Sequence, residues 1–143
     1  MKEKWDRRFL EMAELVGSCS KDPSTQVGAV IVDKDRRIVS TGYNGFPKGI
    51  ADRHDLLHDR EKKYKLIIHG EMNAILFAGR SLEGCTLYTT PFLPCATCSS
   101  FVIQSGITRV VSWHTDNPRW GESIQLAKSM FAEAGVECVD YNH

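Results

Sequence analysis

The sequence lacks a surplus of charge of either sign, since 18 Lys and Arg residues stand against 18 Asp and Glu. That balance removes the strongly basic surface on which nucleic-acid binding rests and favours a small substrate, although a local basic patch is compatible with a neutral total. No apolar run approaches the length needed to cross a bilayer, so no membrane partner is expected. The first residues, Met1-Lys2-Glu3-Lys4-Trp5-Asp6, are charged and amphipathic where a leader would be apolar. The five cysteines are odd in number and two of them stand in Cys-x-x-Cys, so the expected setting is reducing: the cytoplasm, or the host's cytoplasm for a viral chain. There is no internal repeat, low-complexity linker or composition shift. The 143 residues therefore read as one domain, 1–143, long enough to bury a core without metal or disulfides merely to fold.

What is present alternates between strand and helix patterns. Trp5, Phe9, Met12, Ala13 and Val16 recur at helical spacing and predict a first helix with one buried stripe, ending near Gly17. Residues 27–32 read as a strand buried on both faces, and residues 37–43 as its antiparallel partner. Residues 42–49, three glycines and a proline around Tyr43-Asn44, have loop composition and are either a wide turn or a ligand loop. Residues 51–65 are highly charged and predict a solvated helix or ordered insertion. Helix formers from Glu71 to Phe77 place His69 and Glu71 at a helix start. A strand at 85–90, a helix at 95–104, a strand at 109–113, a helix marked by Ile124, Ala127, Met130, Phe131 and Ala134, and a strand at 136–141 complete the chain. Strand-helix-strand connections favour parallel pairing with right-handed crossovers, which predicts an α/β fold: a mixed five-stranded sheet with helices on both faces.

The chemistry concentrates in His69-Gly70-Glu71 and Pro94-Cys95-Ala96-Thr97-Cys98. One imidazole and two thiols are three donors suited to zinc, and three protein donors leave a tetrahedral position open, the pattern of a catalytic site. Glu71 then serves as an acid/base group and not as a ligand. Such a site activates water for attack at a carbon bearing an exocyclic amine, with release of ammonia. Taken alone, Cys-x-x-Cys also fits a redox pair or half of a structural zinc knuckle. A redox pair leaves His-x-Glu unexplained, and a closed structural site needs a fourth ligand from Cys19, Cys85, Cys138 or a free histidine, none at metal-motif spacing. His54 and His58, four residues apart, suit either a second metal or a solvated helix face.

These residues carry a resemblance to the zinc-dependent cytidine/deoxycytidylate deaminase superfamily, whose H-x-E and P-C-x-x-C motifs both appear here. Within it the chain is similar to the deoxycytidylate deaminases through residues 20–28, Thr41-Gly42-Tyr43-Asn44-Gly45-Phe46-Pro47, His69 to Ile75, Pro94 to Cys98 and Gln104-Ser105-Gly106-Ile107. The resemblance implies a three-layer α-β-α fold with sheet order 2-1-3-4-5 and strands 4 and 5 parallel. It implies Zn²⁺ held by His69, Cys95 and Cys98, Glu71 as proton shuttle, and hydrolysis of dCMP to dUMP. It also implies Asn44 on the substrate nucleoside, a dCTP/dTTP effector loop at Tyr43, Asn44, Gly45 and Phe46, Mg²⁺ accompanying dCTP, and a homo-oligomer, either dimer or hexamer. Lys21, Ser24 and Thr25 are candidates for the substrate phosphate, because they supply charge and hydroxyl donors. Trp113 and Trp120 either stack on the base or pack in the core and on the surface. The family more often has alanine where Gly70 stands, and relatives with an extra structural zinc carry cysteines that residues 51–65 lack. The alternatives are deamination of another nucleoside or base, deamination of adenosine in tRNA, and a non-enzymatic zinc or nucleotide-sensing module.

Overall fold

The runs rich in valine, isoleucine, threonine and tyrosine form one sheet, as their β-branched and aromatic content dictates. The computed structural model describes residues 2–143. In chain order they make α1 (Lys2–Gly17), β1 (Gly28–Val32), β2 (Ile38–Tyr43), α2 (His54–His58), α3 (Arg60–Leu66) and α4 (Gly70–Phe77). There follow β3 (Thr86–Thr90), α5 (Ala96–Gln104), β4 (Arg109–Trp113), α6 (Pro118–Ala134) and β5 (Glu137–Tyr141). The sheet order is β2-β1-β3-β4-β5. Strand β1 lies antiparallel to β2 and β3, and β3, β4 and β5 run parallel. The order 2-1-3-4-5 and the parallel last pair are as expected, and α5 and α6 are the two crossovers.

Strand alternation feeds two cores. Ala29, Ile31, Leu87 and Val110 point to one side, where they meet Ala74 of α4, Val102 of α5 and Ile124, Ala127 and Phe131 of α6. Val30, Val32, Tyr88, Val111 and Trp113 point to the other and meet Phe9, Leu10 and Ala13 of α1. The result is three layers, α-β-α. The buried stripe of α1 is turned relative to the sequence reading: Asp6, Phe9, Leu10, Ala13 and Gly17 are buried, while Met12 is exposed. Glycine sets that rotation. A Cβ on Gly28 would overlap the backbone of Ala13 and Gly17, so the small-residue face of α1 sits directly on β1.

Two other segments refine expectation. Residues 51–65 form two short helices divided at Asp59, whose side chain caps α3 by accepting from the Lys62 amide at 3.2 Å. Helix α6 begins earlier than its apolar periodicity indicates, with Asn117 as the cap and Pro118 in the first turn. No described helix is long and apolar enough to cross a membrane.

Under α1 lies a buried carboxylate. Asp6 receives both guanidinium nitrogens of Arg109 (2.7 and 2.6 Å), the Tyr88 hydroxyl (2.8 Å) and the Tyr141 hydroxyl (2.7 Å), which ties α1 to β3, β4 and β5. Burial alone would raise its pKa, but these donors outweigh burial and hold the carboxyl below its ordinary value. Because the folded-state value is depressed, the group contributes stability above its unfolded pKa, and that contribution disappears as pH falls through the folded value. Asp6→Asn is expected to lower the unfolding free energy by roughly 3 kcal/mol at pH 7. Urea titrations at pH 7 and pH 3 should show a smaller difference from wild type at pH 3, and equal differences at both would contradict the account.

Candidate active site

The site is assembled by two helix starts on the same side of the sheet. His69 is the residue before α4, with extended backbone (φ −68°, ψ 153°), and its carbonyl accepts the Asn73 amide at 3.0 Å. Cys95 occupies the equivalent position before α5, where its Sγ accepts the Cys98 amide at 3.4 Å. The His69 Nδ1 lies 3.1 Å from Cys98 Sγ and 3.7 Å from Cys95 Sγ. All three donor atoms lie within 4.8 Å of one another. Tetrahedral zinc bonded at about 2.3 Å to sulfur and about 2.0 Å to nitrogen places such donors roughly 3.5 Å apart. The donor set therefore fits the ion in both chemistry and spacing.

The protonation of this group points the same way. Cys95 is lowered to about 4, first by the hydrogen bond from the Cys98 thiol and then by His69. Cys98 is pushed far up by the same bond and by burial, while the bond to Cys95 raises His69. Two thiols and an imidazole brought this close are donors that a divalent cation binds with loss of the thiol protons. Glu71, in the first turn of α4, is buried, and its Oε1 has no hydrogen-bond partner. Burial raises its carboxyl to about 7. An unpartnered buried carboxyl oxygen beside three metal-type donors is the arrangement a proton shuttle needs, because its missing partner can come from a bound molecule.

These groups open into a cavity of about 420 Å³. His69, Glu71 and Cys95 line its floor. Asn44, Thr25 and Ser24 form one wall, and Phe92, Trp120, Leu93 and Ile124 an apolar one, with the Phe92 and Trp120 rings stacked at 4.8 Å. Lys21 does not line the cavity, since its ammonium pairs with Asp52 at 3.5 Å on the surface. Trp113 takes the core alternative: strand alternation turns it toward α1, where its Nε1 donates to Glu14 at 2.7 Å. Tyr43, Gly45 and Phe46 also lie outside the cavity. Gly45 pairs with Ile68 through two backbone bonds of 3.1 and 2.8 Å, and the Tyr43 carbonyl accepts Asn73 Nδ2 at 2.8 Å, so this loop fixes the approach to His69.

Several lining residues escaped the sequence reading. Lys63 and Asp22 form a buried ion pair at 3.0 Å, and Lys63 also donates to Ser24 Oγ at 3.1 Å. Asn44 completes this wall: Oδ1 accepts the Val27 amide at 2.9 Å, and Nδ2 donates to Asp22 Oδ2 at 3.2 Å and to the Thr25 carbonyl at 2.9 Å. Tyr64 and Arg119 line the cavity as well. Lys63 sits in the charged stretch and carries no local mark that separates it from its solvated neighbours. Gly70 has a packing reason, because a Cβ there would lie 3.0 Å from the Val27 carbonyl oxygen and 3.3 Å from that of Gly42.

The fold and this constellation define a hydrolytic deaminase of the zinc-binding type. The model of the cytidine and deoxycytidylate deaminase zinc-binding region matches residues 3–114, and the chain belongs to that family. A protein described as an uncharacterised deaminase in the luxG 3′ region of Aliivibrio fischeri is 54% identical over 140 residues, covering 96% of this chain and 93% of that one. The deoxycytidylate deaminase of Mus musculus is 39% identical over 140 residues, covering 92% of this chain and 76% of the mouse protein. The crystal structure of dCMP deaminase from cyanophage S-TIM5 in complex with dCMP and dUMP superposes with a TM-score of 0.77 at 26% identity, covering 99% of each chain.

The Lys63–Asp22 pair gives this wall a direct test. Lys63→Met leaves Asp22 buried without a counter-charge and is expected to cost about 3 kcal/mol, whereas Lys63→Met with Asp22→Asn should recover more than half of that loss. Chemical denaturation of the four proteins of the cycle measures the coupling, and additive losses would show that the pair is not an energetic unit.

Proposed function

We propose that this enzyme hydrolyses dCMP to dUMP and ammonia. The observation that carries the proposal is the unpartnered, buried Glu71 Oε1 beside His69, Cys95 and Cys98 at the floor of one cavity. In this reading His69 Nδ1 and the two Sγ atoms hold zinc, which when bound supplies a water acidic enough to react near neutral pH. Glu71 carries two protons in turn: it takes one from the attacking water and passes it to the ring nitrogen of the base, then takes the second from the added hydroxyl and passes it to the departing amine. A carboxyl held near neutrality by burial is suited to both directions of transfer. The Phe92 and Trp120 rings and Ile124 exclude water and offer a flat surface to the base. Asn44 has both amide protons committed and one carbonyl lone pair left, enough to accept a sugar hydroxyl.

The proposal extends to regulation and assembly. A nucleotide such as dCTP with Mg²⁺, or dTTP, bound near Tyr43, Gly45 and Phe46 would act on the approach to His69, because Gly45 pairs with Ile68. Exposed Tyr43, Leu76, Phe77 and Phe101 support a homo-oligomer formed through the face carrying α4 and α5.

Zinc content and ammonia release measured together across dCMP, CMP, dCTP, deoxycytidine and adenosine test the proposal. Wild type is expected to release ammonia from dCMP and to act on deoxycytidine with a kcat/KM lower by at least about 10²-fold. Glu71→Gln should retain zinc and fold while kcat falls by at least about 10²-fold. Cys98→Ala should lose the metal itself. Absence of ammonia from dCMP in the zinc-loaded protein, with dCTP tried as activator, would refute the substrate assignment.

A further inference from the structure

The cations around the cavity differ in whether their charge is met. Lys63 is paired with Asp22 and Lys21 with Asp52. Arg119 and Arg60 are paired with no carboxylate among the described residues, yet both donate to one neutral atom. Arg60 reaches the Tyr64 hydroxyl at 2.7 Å from within α3, and Arg119 reaches the same oxygen at 3.3 Å from the first turn of α6. Tyr64 and Arg119 line the cavity, whereas Arg60 is not among the lining residues and reaches it through the Tyr64 hydroxyl. The Arg119 guanidinium lies over the Trp120 ring at 4.6 Å, and that of Arg60 over the Tyr64 ring at 5.4 Å, so both are positioned by stacking. Two guanidiniums that repel each other across a shared neutral acceptor leave a concentrated positive potential at the cavity. The Tyr64 oxygen accepts from both arginines and keeps its own proton to donate. The hydrogen bond from Arg60 lowers the Tyr64 pKa, which makes the phenol a stronger donor.

We propose that Arg119, Tyr64 and Arg60 form a subsite for a phosphate monoester dianion, the 5′-phosphate of the nucleotide whose base reaches Glu71. The proposal rests on the dCMP reading for the identity of that base. A phosphate replaces the phenol as the acceptor the two guanidiniums share, and guanidinium geometry suits its oxygens. The subsite explains how a cavity whose buried lysine is already neutralised by Asp22 distinguishes a nucleotide from a nucleoside. It also moves that role away from Lys21.

Zinc-loaded wild type, Arg119→Gln, Arg60→Gln and Tyr64→Phe are assayed on dCMP and deoxycytidine, and titrated calorimetrically with dUMP and deoxyuridine. The arginine variants are expected to raise KM for dCMP by about 10- to 100-fold, with kcat within about 3-fold, while kcat/KM for deoxycytidine changes by less than about 3-fold. Arg119→Lys should recover part of the loss. An unchanged KM for dCMP, or a parallel fall on deoxycytidine, overturns the subsite while leaving the dCMP reading intact. If wild type releases no ammonia from dCMP, the substrate reading fails separately and the titrations decide the subsite. Tighter binding of dUMP than of deoxyuridine, lost in Arg119→Gln, supports it, and equal binding of the two by wild type overturns it.

Discussion

The close seating of α4 on the sheet is the constraint on which the rest of the site depends. A Cβ on Gly42 would overlap the Ala74 amide and the Gly70 carbonyl, and one on Gly70 would crowd Val27 and Gly42. Ser40, buried two residues before Gly42 on β2, donates to the Ala74 carbonyl at 2.7 Å and fixes the helix along its axis. Because backbone meets backbone without side chains between, the start of α4 has little freedom to slide. His69 and Glu71 inherit that rigidity from the β1–β2 hairpin, and the Gly45–Ile68 bridge holds the chain that leads into them. Helix α5 brings Cys95 and Cys98 to the same point through the parallel crossover between β3 and β4. Each of the two helix starts then directs its first residues at one small volume.

Charge is handled differently inside and outside that volume. The buried Asp6 is saturated by Arg109 and two tyrosine hydroxyls, and the buried Lys63 is met by Asp22, Ser24 and the Asn44 network. Both arrangements follow the rule that buried ions survive only when paired and hydrogen-bonded. Glu71 breaks the rule through an unpartnered oxygen. Among the described residues Glu71 Oε1 and Thr89 Oγ1 are the buried side-chain oxygens without a partner, and of the two residues only Glu71 lines the cavity, where a bound molecule can supply what is missing. The stacked Phe92 and Trp120 add an apolar wall that strengthens electrostatic interactions by keeping water out.

Much of this was legible in the sequence where the signal is local. The strands announce themselves by composition, and the helix starts at His69 and Cys95 follow from helix formers bounded by a polar loop or proline, so a mixed five-stranded sheet and the gathering of His69, Cys95 and Cys98 were readable, while the strand order came from the family resemblance. The start of α6 was missed, since apolar periodicity points to Ile124 whereas Asn117 caps the helix and Pro118 stands in its first turn. What was not legible depends on register. Trp113 faces α1 because of strand alternation fixed by pairing with β3 and β5, and Met12 yields its place to Leu10 because Gly28 draws α1 onto its small-residue face. Lys63, Tyr64 and Arg119 belong to the cavity only because α3 folds back over it toward α6, a juxtaposition with no signature in either segment.

The central claim is that this chain offers three donors to zinc and leaves the fourth position to a small molecule. Zinc-edge X-ray absorption on the metal-loaded protein measures this directly. The account predicts two sulfur scatterers at about 2.3 Å and two light scatterers at about 2.0 Å, one more than His69 supplies. A third or fourth sulfur, or a shell without sulfur, would contradict it.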